Sequence, residues 1–329
     1  MKAQVIKQFG DASVFQTIEL PRPEAIPGHV LIHVAATSVN PVDYKIRKGS
    51  ASRIAPAFPA VLQGDVAGVI EEIGEGVTSF KPGDEVYACA GGVKGTGGAL
   101  AEYMLADADL VALKPKSLTM VEAAALPLVS ITAWDGLIDK AKIQAGQTVL
   151  VHAATGGVGH IGIQLAKAFG AKVFATASSD EKLEIARKLG ADVAINYRQK
   201  TVEEYVAEYT NGKGFDVVFD TIGGETLAKS FEAAALNGTV ISISTSETYD
   251  LSTLHRKGLS LHVVFMLIPM LHNMGRAHHG KILTQLAKLV DEGKLRPLID
   301  PKIFSFDEAE LAHRHLESGE AIGKVTLKC

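Results

Sequence analysis

The stretch Val149-Leu-Val-His-Ala-Ala-Thr-Gly-Gly-Val-Gly159 (VLVHAATGGVG) is an apolar run that ends abruptly in small residues. It is followed by HIGIQLAKAFGAKV. The run, starting at Thr148, reads as a strand (TVLVHA) covered on both faces. Apolar residues at helical spacing in VGHIGIQLAKAFGA then read as a helix. Between them, Thr155-Gly156-Gly157-Val158-Gly159 is a turn small enough for backbone N–H groups to touch a pyrophosphate, with the positive end of the helix behind it. The register is Ala154-x-Gly156-x-x-Gly159, so alanine replaces the first glycine of the usual dinucleotide fingerprint. As a lone motif this is also compatible with a tight strand–helix junction that binds nothing.

The next strand narrows the choice. In the fingerprint an acidic residue about 20 positions on accepts hydrogen bonds from the adenosine ribose. Here KVFATASSDEKLE places Ala177-Ser178-Ser179 at that point, with Lys182 just beyond. A carboxylate would repel a 2′-phosphate, whereas hydroxyls and an ammonium accommodate one. The expected cofactor is therefore NADPH, although Asp180 and Glu181 partly offset the Lys182 charge.

Outward from this unit, the chain changes character twice. Residues 1–122 carry short period-two segments punctuated by Gly and Pro (AQVIKQF, HVLIHVAATSV, VAGVIEEIG, DEVYACA), which predict a mainly antiparallel barrel or sandwich. Residues 123–293 alternate apolar strands with amphipathic helices (KVFATA, EKLEIARKLG, VEEYVAEYT, FDVVFD), which predicts an α/β domain with a doubly wound parallel sheet. Residues 294–329 return to short pieces, a helix followed by a strand, expected to pack back on the first domain.

With 329 residues, 47% hydrophobic and 21% charged, the chain has material for two globular domains. The formal net charge of −4 gives no general attraction to nucleic acid or anionic membranes. Cys89 and Cys329 are the only cysteines, which fits a reducing cytoplasm better than a disulfide framework. No secretory signal pattern opens the chain. The longest apolar run, Leu261–Leu271, is interrupted by His262 and Pro269 and is too short to span a bilayer, which takes ~20 residues.

Four long segments, GHVLIHVAATSVNPVDYKIRKG, PAVLQGDVAGVIEEIGEGVTSFKPGDEVYA, EAAALPLVSITAWDGL and GQTVLVHAATGGVGHIGIQLAKAFGAKVFATASSDEKLEIARKLGADVAINYR, occur in an order that resembles the zinc-independent quinone oxidoreductase (zeta-crystallin-like) branch of the medium-chain dehydrogenase/reductase superfamily. The resemblance runs to the terminal Gly323-Lys324-Val325. It implies a GroES-like substrate domain built from both chain ends, a central Rossmann domain, NADPH in the cleft between them, and a homodimer or tetramer. It also implies an alanine at the start of the glycine turn. The segments where zinc-dependent relatives carry their ligands read SVNPVDY, LQGDVAG and LPLVSIT, with neither Cys nor His, so no metal is expected. The histidines of LHNMGRAHHG (272, 278 and 279) read as solvated residues in a loop.

Without a metal, hydride must go to an acceptor that tolerates the resulting charge, such as a quinone or an α,β-unsaturated carbonyl. By resemblance, Asn40, Asp43 and Tyr44 line the substrate side near the nicotinamide. Tyr44 and Lys45 are candidates for polarising the carbonyl. The cofactor would meet Thr132, the turn Thr155, Gly156, Gly157, Val158 and Gly159, then Ser178, Ser179 and Lys182 at the 2′-phosphate, and Tyr197 near the adenine or reaching that phosphate. Residues at later strand ends follow: Thr221, Ile222, Gly223, Ser244, Thr245, Val263 and Phe265, with Lys324 from the terminal GKV. Val263 and Phe265 belong to a strand that pairs across the dimer in this family. Two alternatives stand beside this reading. One is an enoyl-thioester reductase using Arg47, Lys48 and Arg53 for a phosphopantetheine arm; the other is a non-catalytic NADPH-binding protein.

Overall fold

The structure is a computed structural model describing all residues, Met1–Cys329. It divides into two compact units, Met1–Ile131 with Leu267–Cys329, and Thr132–Met266.

The first unit begins with β1 (Lys2–Ile6), β2 (Phe15–Glu19), β3 (His29–Val39), α1 (Pro41–Arg47), β4 (Ala60–Val61), β5 (Asp65–Ile73), β6 (Glu85–Cys89), β7 (Tyr103–Asp107) and β8 (Val111–Leu113). Helices α2 (Met120–Ala124) and α3 (Pro127–Trp134) follow. A capping box, with Glu122 accepting from the Thr119 N–H at 2.8 Å, starts α2. α3 runs past Ile131 into the second unit and leads into a π-helical turn at Asp135–Lys140.

The second unit holds β9 (Thr148–Val151), α4 (Gly159–Ala168), β10 (Lys172–Ala177), α5 (Asp180–Lys188), β11 (Val193–Asn196), α6 (Val202–Thr210), β12 (Phe215–Asp220), α7 (Glu225–Ala233), β13 (Ala234–Ser242), α8 (Ser252–Lys257) and β14 (Ser260–Val263). All strand pairings are parallel, in the order β11-β10-β9-β12-β13-β14. That is the expected doubly wound sheet, and its strand order reverses between β9 and β12. Its core is apolar on both faces: Leu150, Phe174 and Val218 are buried on one, with Phe215 and Phe231, and Val151, Phe219 and Ile241 on the other.

The chain then returns to the first unit through α9 (Ile268–His272), α10 (Arg276–Asp291), β15 (Ile299–Ser305), α11 (Ala309–Glu317) and β16 (Lys324–Lys328). β16 pairs antiparallel with β3 and parallel with β15, completing a seven-stranded sheet in the order β15-β16-β3-β5-β6-β8, with β7 on β3. A smaller sheet orders β2-β1-β4. The tail therefore contains one strand more than its sequence suggests.

The unit boundaries fall at 131/132 and 266/267, against 122/123 and 293/294 from sequence texture. The later boundary moves because α10 is tied to the first unit. Tyr87 donates its hydroxyl to the Leu283 carbonyl at 2.6 Å, and Arg276 pairs with Asp107 at 2.7 Å. His278 and His279 lie in this helix rather than in a loop. His279 is buried, and burial lowers its pKa to about 4, so it is a neutral core histidine and not a solvated one.

Candidate functional site

In the second unit, the glycine turn joins β9 to α4 at the point where the strand order reverses. Gly156 N–H bonds the Ala153 carbonyl at 2.9 Å, and His160 N–H bonds Gly156 at 3.1 Å. A Cβ on Gly159 would lie 2.1 Å from the Ala153 oxygen, so only glycine fits where α4 begins. Gly156, Gly157 and Val158 are partly open to solvent, while Thr155 and Gly159 are buried. A cradle of backbone N–H groups at a helix start, narrow enough to exclude side chains, suits a pyrophosphate.

The neighbouring strand ends complete this face. Ser178 and Ser179 follow β10, and Ser179 caps α5 by accepting from the Lys182 N–H at 3.4 Å. The Tyr197 N–H bonds the Ala177 carbonyl at 3.3 Å, so the residues after β11 run beside the serines. Asp220, at the end of β12, is fully buried. It accepts from the Ile222 and Gly223 N–H groups at 2.9 Å each and from the Ser242 hydroxyl at 2.9 Å. This carboxylate thus shapes the Thr221–Gly223 turn and leaves Ile222 half exposed above it. A Cβ on Gly223 would meet the Ser244 oxygen at 2.4 Å, so the predicted pieces Thr221–Gly223 and Ser244–Thr245 touch. His152 bonds Thr176 at 3.0 Å, and burial lowers its pKa to about 4 against the pull of Asp220. A cavity of about 570 Å³ opens here, lined among others by His152, Thr176, Tyr197, Arg198, Ile222 and Lys229. Tyr197 and Ile222 present about half their surface, 50% and 48%. Thr132 is buried on α3, and Val263 and Phe265 are each 46% exposed at and just beyond β14.

In the first unit, the predicted substrate-side residues lie on α1. Pro41 sits in the first turn of α1, Asn40 precedes it, and the Asn40 N–H donates to the Asp43 carboxylate at 2.7 Å. The Asn40 side chain donates to Asp65 Oδ2 at 2.7 Å and accepts from the Lys324 ammonium. Ser38 Oγ also donates to Asp65 at 2.7 Å, and Asp65 Oδ1 receives the Leu128 N–H at 2.8 Å. All four side chains, Asn40, Asp43, Asp65 and Lys324, are buried. Burial raises Asp43 to about 7, opposed by the Asn40 N–H and reinforced by Asp65. Burial lowers Lys324, with Asp65 and Asp43 pulling it back up. The Lys324 ammonium bonds Asn40 and the Val39 carbonyl at 3.3 Å and faces Asp65 at 3.5 Å. Tyr44 is half-buried, which raises its phenol, and Lys45 is exposed.

Arg47 is fully buried and holds the Gly10 carbonyl at 2.9 Å together with Glu317. It is not available to a phosphopantetheine arm, and Lys48 likewise pairs with Glu317. Asp65, Asp220 and His152 were not singled out from sequence; His152 lay in TVLVHA as a lone polar residue in an apolar run, while Asp65 and Asp220 sat at strand ends beside other polar or small residues and gave no signal. No group of three or more His, Cys, Asp or Glu side chains is placed to hold a metal ion. The buried Asp43, Asp65 and Cys89 act on one another and on the Lys324 ammonium through their charges.

Residues 26–116 match the alcohol dehydrogenase GroES-like domain model, and residues 157–274 match the zinc-binding dehydrogenase model. A 2-methylene-furan-3-one reductase of Solanum lycopersicum is 37% identical, over 99% of this chain and 79% of that protein. A chloroplastic NADPH-dependent alkenal/one oxidoreductase of Arabidopsis thaliana is 35% identical, over 99% and 79%. A quinone oxidoreductase of Sus scrofa is 32% identical, over 99% and 97%. Among solved structures, an alcohol dehydrogenase superfamily protein from Novosphingobium aromaticivorans is 42% identical with a TM-score of 0.95, covering 100% of this chain and 99% of that one. The Escherichia coli quinone oxidoreductase complexed with NADPH is 28% identical with a TM-score of 0.88, covering 100% of both chains. With a switch-point glycine turn in one unit and a GroES-like sheet built from both chain ends in the other, the chain belongs to the quinone oxidoreductase branch of the medium-chain dehydrogenase/reductase superfamily.

Proposed function

We propose that this protein is an NADPH-dependent, metal-free reductase that passes hydride to a quinone or an α,β-unsaturated carbonyl. The observation that carries the reading is the switch-point turn whose neighbouring strand ends in Ser178 and Ser179 rather than in a carboxylate. The relatives' names, quinone and enone reductases among them, agree with it.

The Gly156–Val158 backbone at the start of α4 would hold the pyrophosphate, Ser178, Ser179 and Lys182 the 2′-phosphate side, and Tyr197 and Ile222 the adenine. Thr221, Gly223, Ser244, Thr245, Thr132, Val263 and Phe265 continue the same face toward the nicotinamide. Bound NADPH would supply the hydride. What the chain must add is a set of donors for the oxyanion that develops on the acceptor. Tyr44 and Lys45, the more accessible polar groups of α1, are the candidates for that role. Asn40 and Asp43 act from behind, as positioning residues. Lys324 belongs with them, because its ammonium orients Asn40 rather than facing solvent. The exposed edge of β14 with Val263 and Phe265 supports a homodimer, and two free cysteines support a reducing, cytoplasmic setting. No helix is long and apolar enough to cross a membrane.

The test is oxidation of NADPH and NADH against 1,4-benzoquinone, 9,10-phenanthrenequinone, a short 2-alkenal and crotonyl-CoA. The expected result is turnover of a quinone or the alkenal, with NADPH preferred by about tenfold or more, equivalent to ~1.4 kcal/mol. NADPH binding without turnover of any acceptor overturns the enzymatic reading, and preference for crotonyl-CoA moves it to thioester reduction.

A further inference from the structure

We infer that Arg198 is the side chain that selects NADPH over NADH, by pairing with the 2′-phosphate beside Ser178 and Ser179. This rests on the NADPH reading above. β10 and β11 are parallel neighbours with Ala177 opposite Asn196, and the Tyr197 N–H still bonds the Ala177 carbonyl. That bond sets Tyr197 beside Ala177, directly before Ser178, and Arg198 follows it where the chain turns at Asn196–Gln199.

The Arg198 backbone is held in place. Its N–H donates to Asn196 Oδ1 at 3.0 Å, and the Asn196 carbonyl accepts from Gln199 and Lys200 at 3.0 and 3.1 Å. Asn196 is itself buried, which fixes this turn as a rigid base for an exposed guanidinium. Arg198 takes part in no ion pair and lines the cavity described above, which reaches Thr176 of β10 and stops short of Ser178 and Ser179. Lys200, its near neighbour, is committed to Glu208 and to the Tyr209 hydroxyl at 3.3 Å. Lys182 stands in the same helical turn as exposed Asp180 and Glu181, which screen it. Glu203 and Glu232 also line the cavity, so its lining is of mixed charge. Arg198, next in the chain to the Tyr197 that bonds Ala177, is the exposed guanidinium at this strand end. A phosphate monoester carries a charge of about −1.5 to −2 at pH 7 and is matched in geometry by a planar, two-pronged donor.

The experiment measures binding by calorimetry, using 2′,5′-ADP and 5′-AMP as fragments and NADPH and NADH as whole cofactors. Proteins are wild type, Arg198→Gln, Arg198→Lys and Lys182→Gln. Arg198→Gln is expected to weaken 2′,5′-ADP and NADPH by about tenfold or more while leaving 5′-AMP and NADH within about twofold. Arg198→Lys should recover part of the loss, and Lys182→Gln should cost less than Arg198→Gln. Unchanged 2′,5′-ADP binding in Arg198→Gln overturns the inference, as does an equal loss for 5′-AMP, which would mean that the residue only shapes the adenine pocket. If wild type binds NADH as tightly as NADPH, the cofactor reading itself fails and takes this inference with it. That result is read before any variant is made.

Discussion

Ala153 adopts φ 52°, a left-handed conformation, immediately before the glycine turn. Its Cβ gains nothing there, and the backbone conformation costs ~1 kcal/mol relative to glycine. Gly159, across the same turn, has the opposite character, because any Cβ would be driven onto the Ala153 oxygen. The two sites therefore predict effects of opposite sign. Ala153→Gly should raise the urea midpoint by the equivalent of ~1 kcal/mol with cofactor binding retained. Gly159→Ala should lower it by ~1–3 kcal/mol and weaken NADPH binding, since the turn must move to admit the methyl. Equal behaviour of the two variants in urea titrations would show that the turn is not strained as described. At this scale the glycines were legible because their chemistry is local. Lys324 and Arg47 were not, because the length of a lysine or arginine says nothing about whether its charge meets solvent, ligand or a buried carboxylate far away in the sequence. That depends on partners such as Asp65 and Glu317, which are distant in sequence.

Among elements, the substrate-side apparatus hangs on one buried ion pair. Asp65, opening β5, receives Ser38 from β3, Asn40 from the cap of α1 and the backbone of Leu128 from the first turn of α3, while Lys324 of β16 faces it at 3.5 Å. One carboxylate thus satisfies an otherwise orphaned N–H at a helix start and joins four other elements to β5. Asp65→Asn leaves the Lys324 ammonium buried with only neutral partners and a raised Asp43 nearby. The expected loss is ~3–5 kcal/mol by chemical denaturation, with much of it recovered in Asp65→Asn combined with Lys324→Met. A loss below ~1 kcal/mol would mean that the pair is dispensable. The elements themselves were mostly readable: KVFATA is β10 and VEEYVAEYT is α6, residue for residue, since apolar periodicity and a Thr201–Glu204 capping box are local signals. α10 was hidden because Gly275 and paired histidines imitate a loop. Its apolar stripe, with Ile282, Leu283, Leu286 and Val290, comes only afterwards.

Across the whole molecule, two units were readable from the change between period-two and alternating strand–helix patterns. The return point was not, because α10 is helical yet packs on the β-rich unit. Both units bury neutral histidines, and this sets the response to acid. Burial lowers His152 and His279 to about 4, and burial with the adjacent Arg47 lowers His313 to about 3, against an ordinary 6.5. Between pH 6.5 and 5 the unfolded chain therefore binds protons on these three rings that the folded chain refuses, so their contribution to stability is present above 6.5 and is lost as pH falls. Asp43 acts in the opposite sense. Its folded carboxyl holds a proton up to about 7 while the unfolded one releases it near 3.8, so acidification from 7 favours the folded state by one proton. Three protons against one leave a net uptake on unfolding of about two, or about 2–3 kcal/mol lost per pH unit near pH 5.5. Urea denaturation at pH 7.5, 6.5, 5.5 and 5 should show stability nearly flat above 6.5 and then falling with that slope. Replacing His313 with Gln should reduce the slope by one proton, about 1.4 kcal/mol per pH unit, whatever it does to stability at pH 7.5. Stability that stays constant or rises between pH 6.5 and 5 would mean that these rings accept protons in the folded protein, and the buried positions of His152, His279 and His313 would then have to open to water.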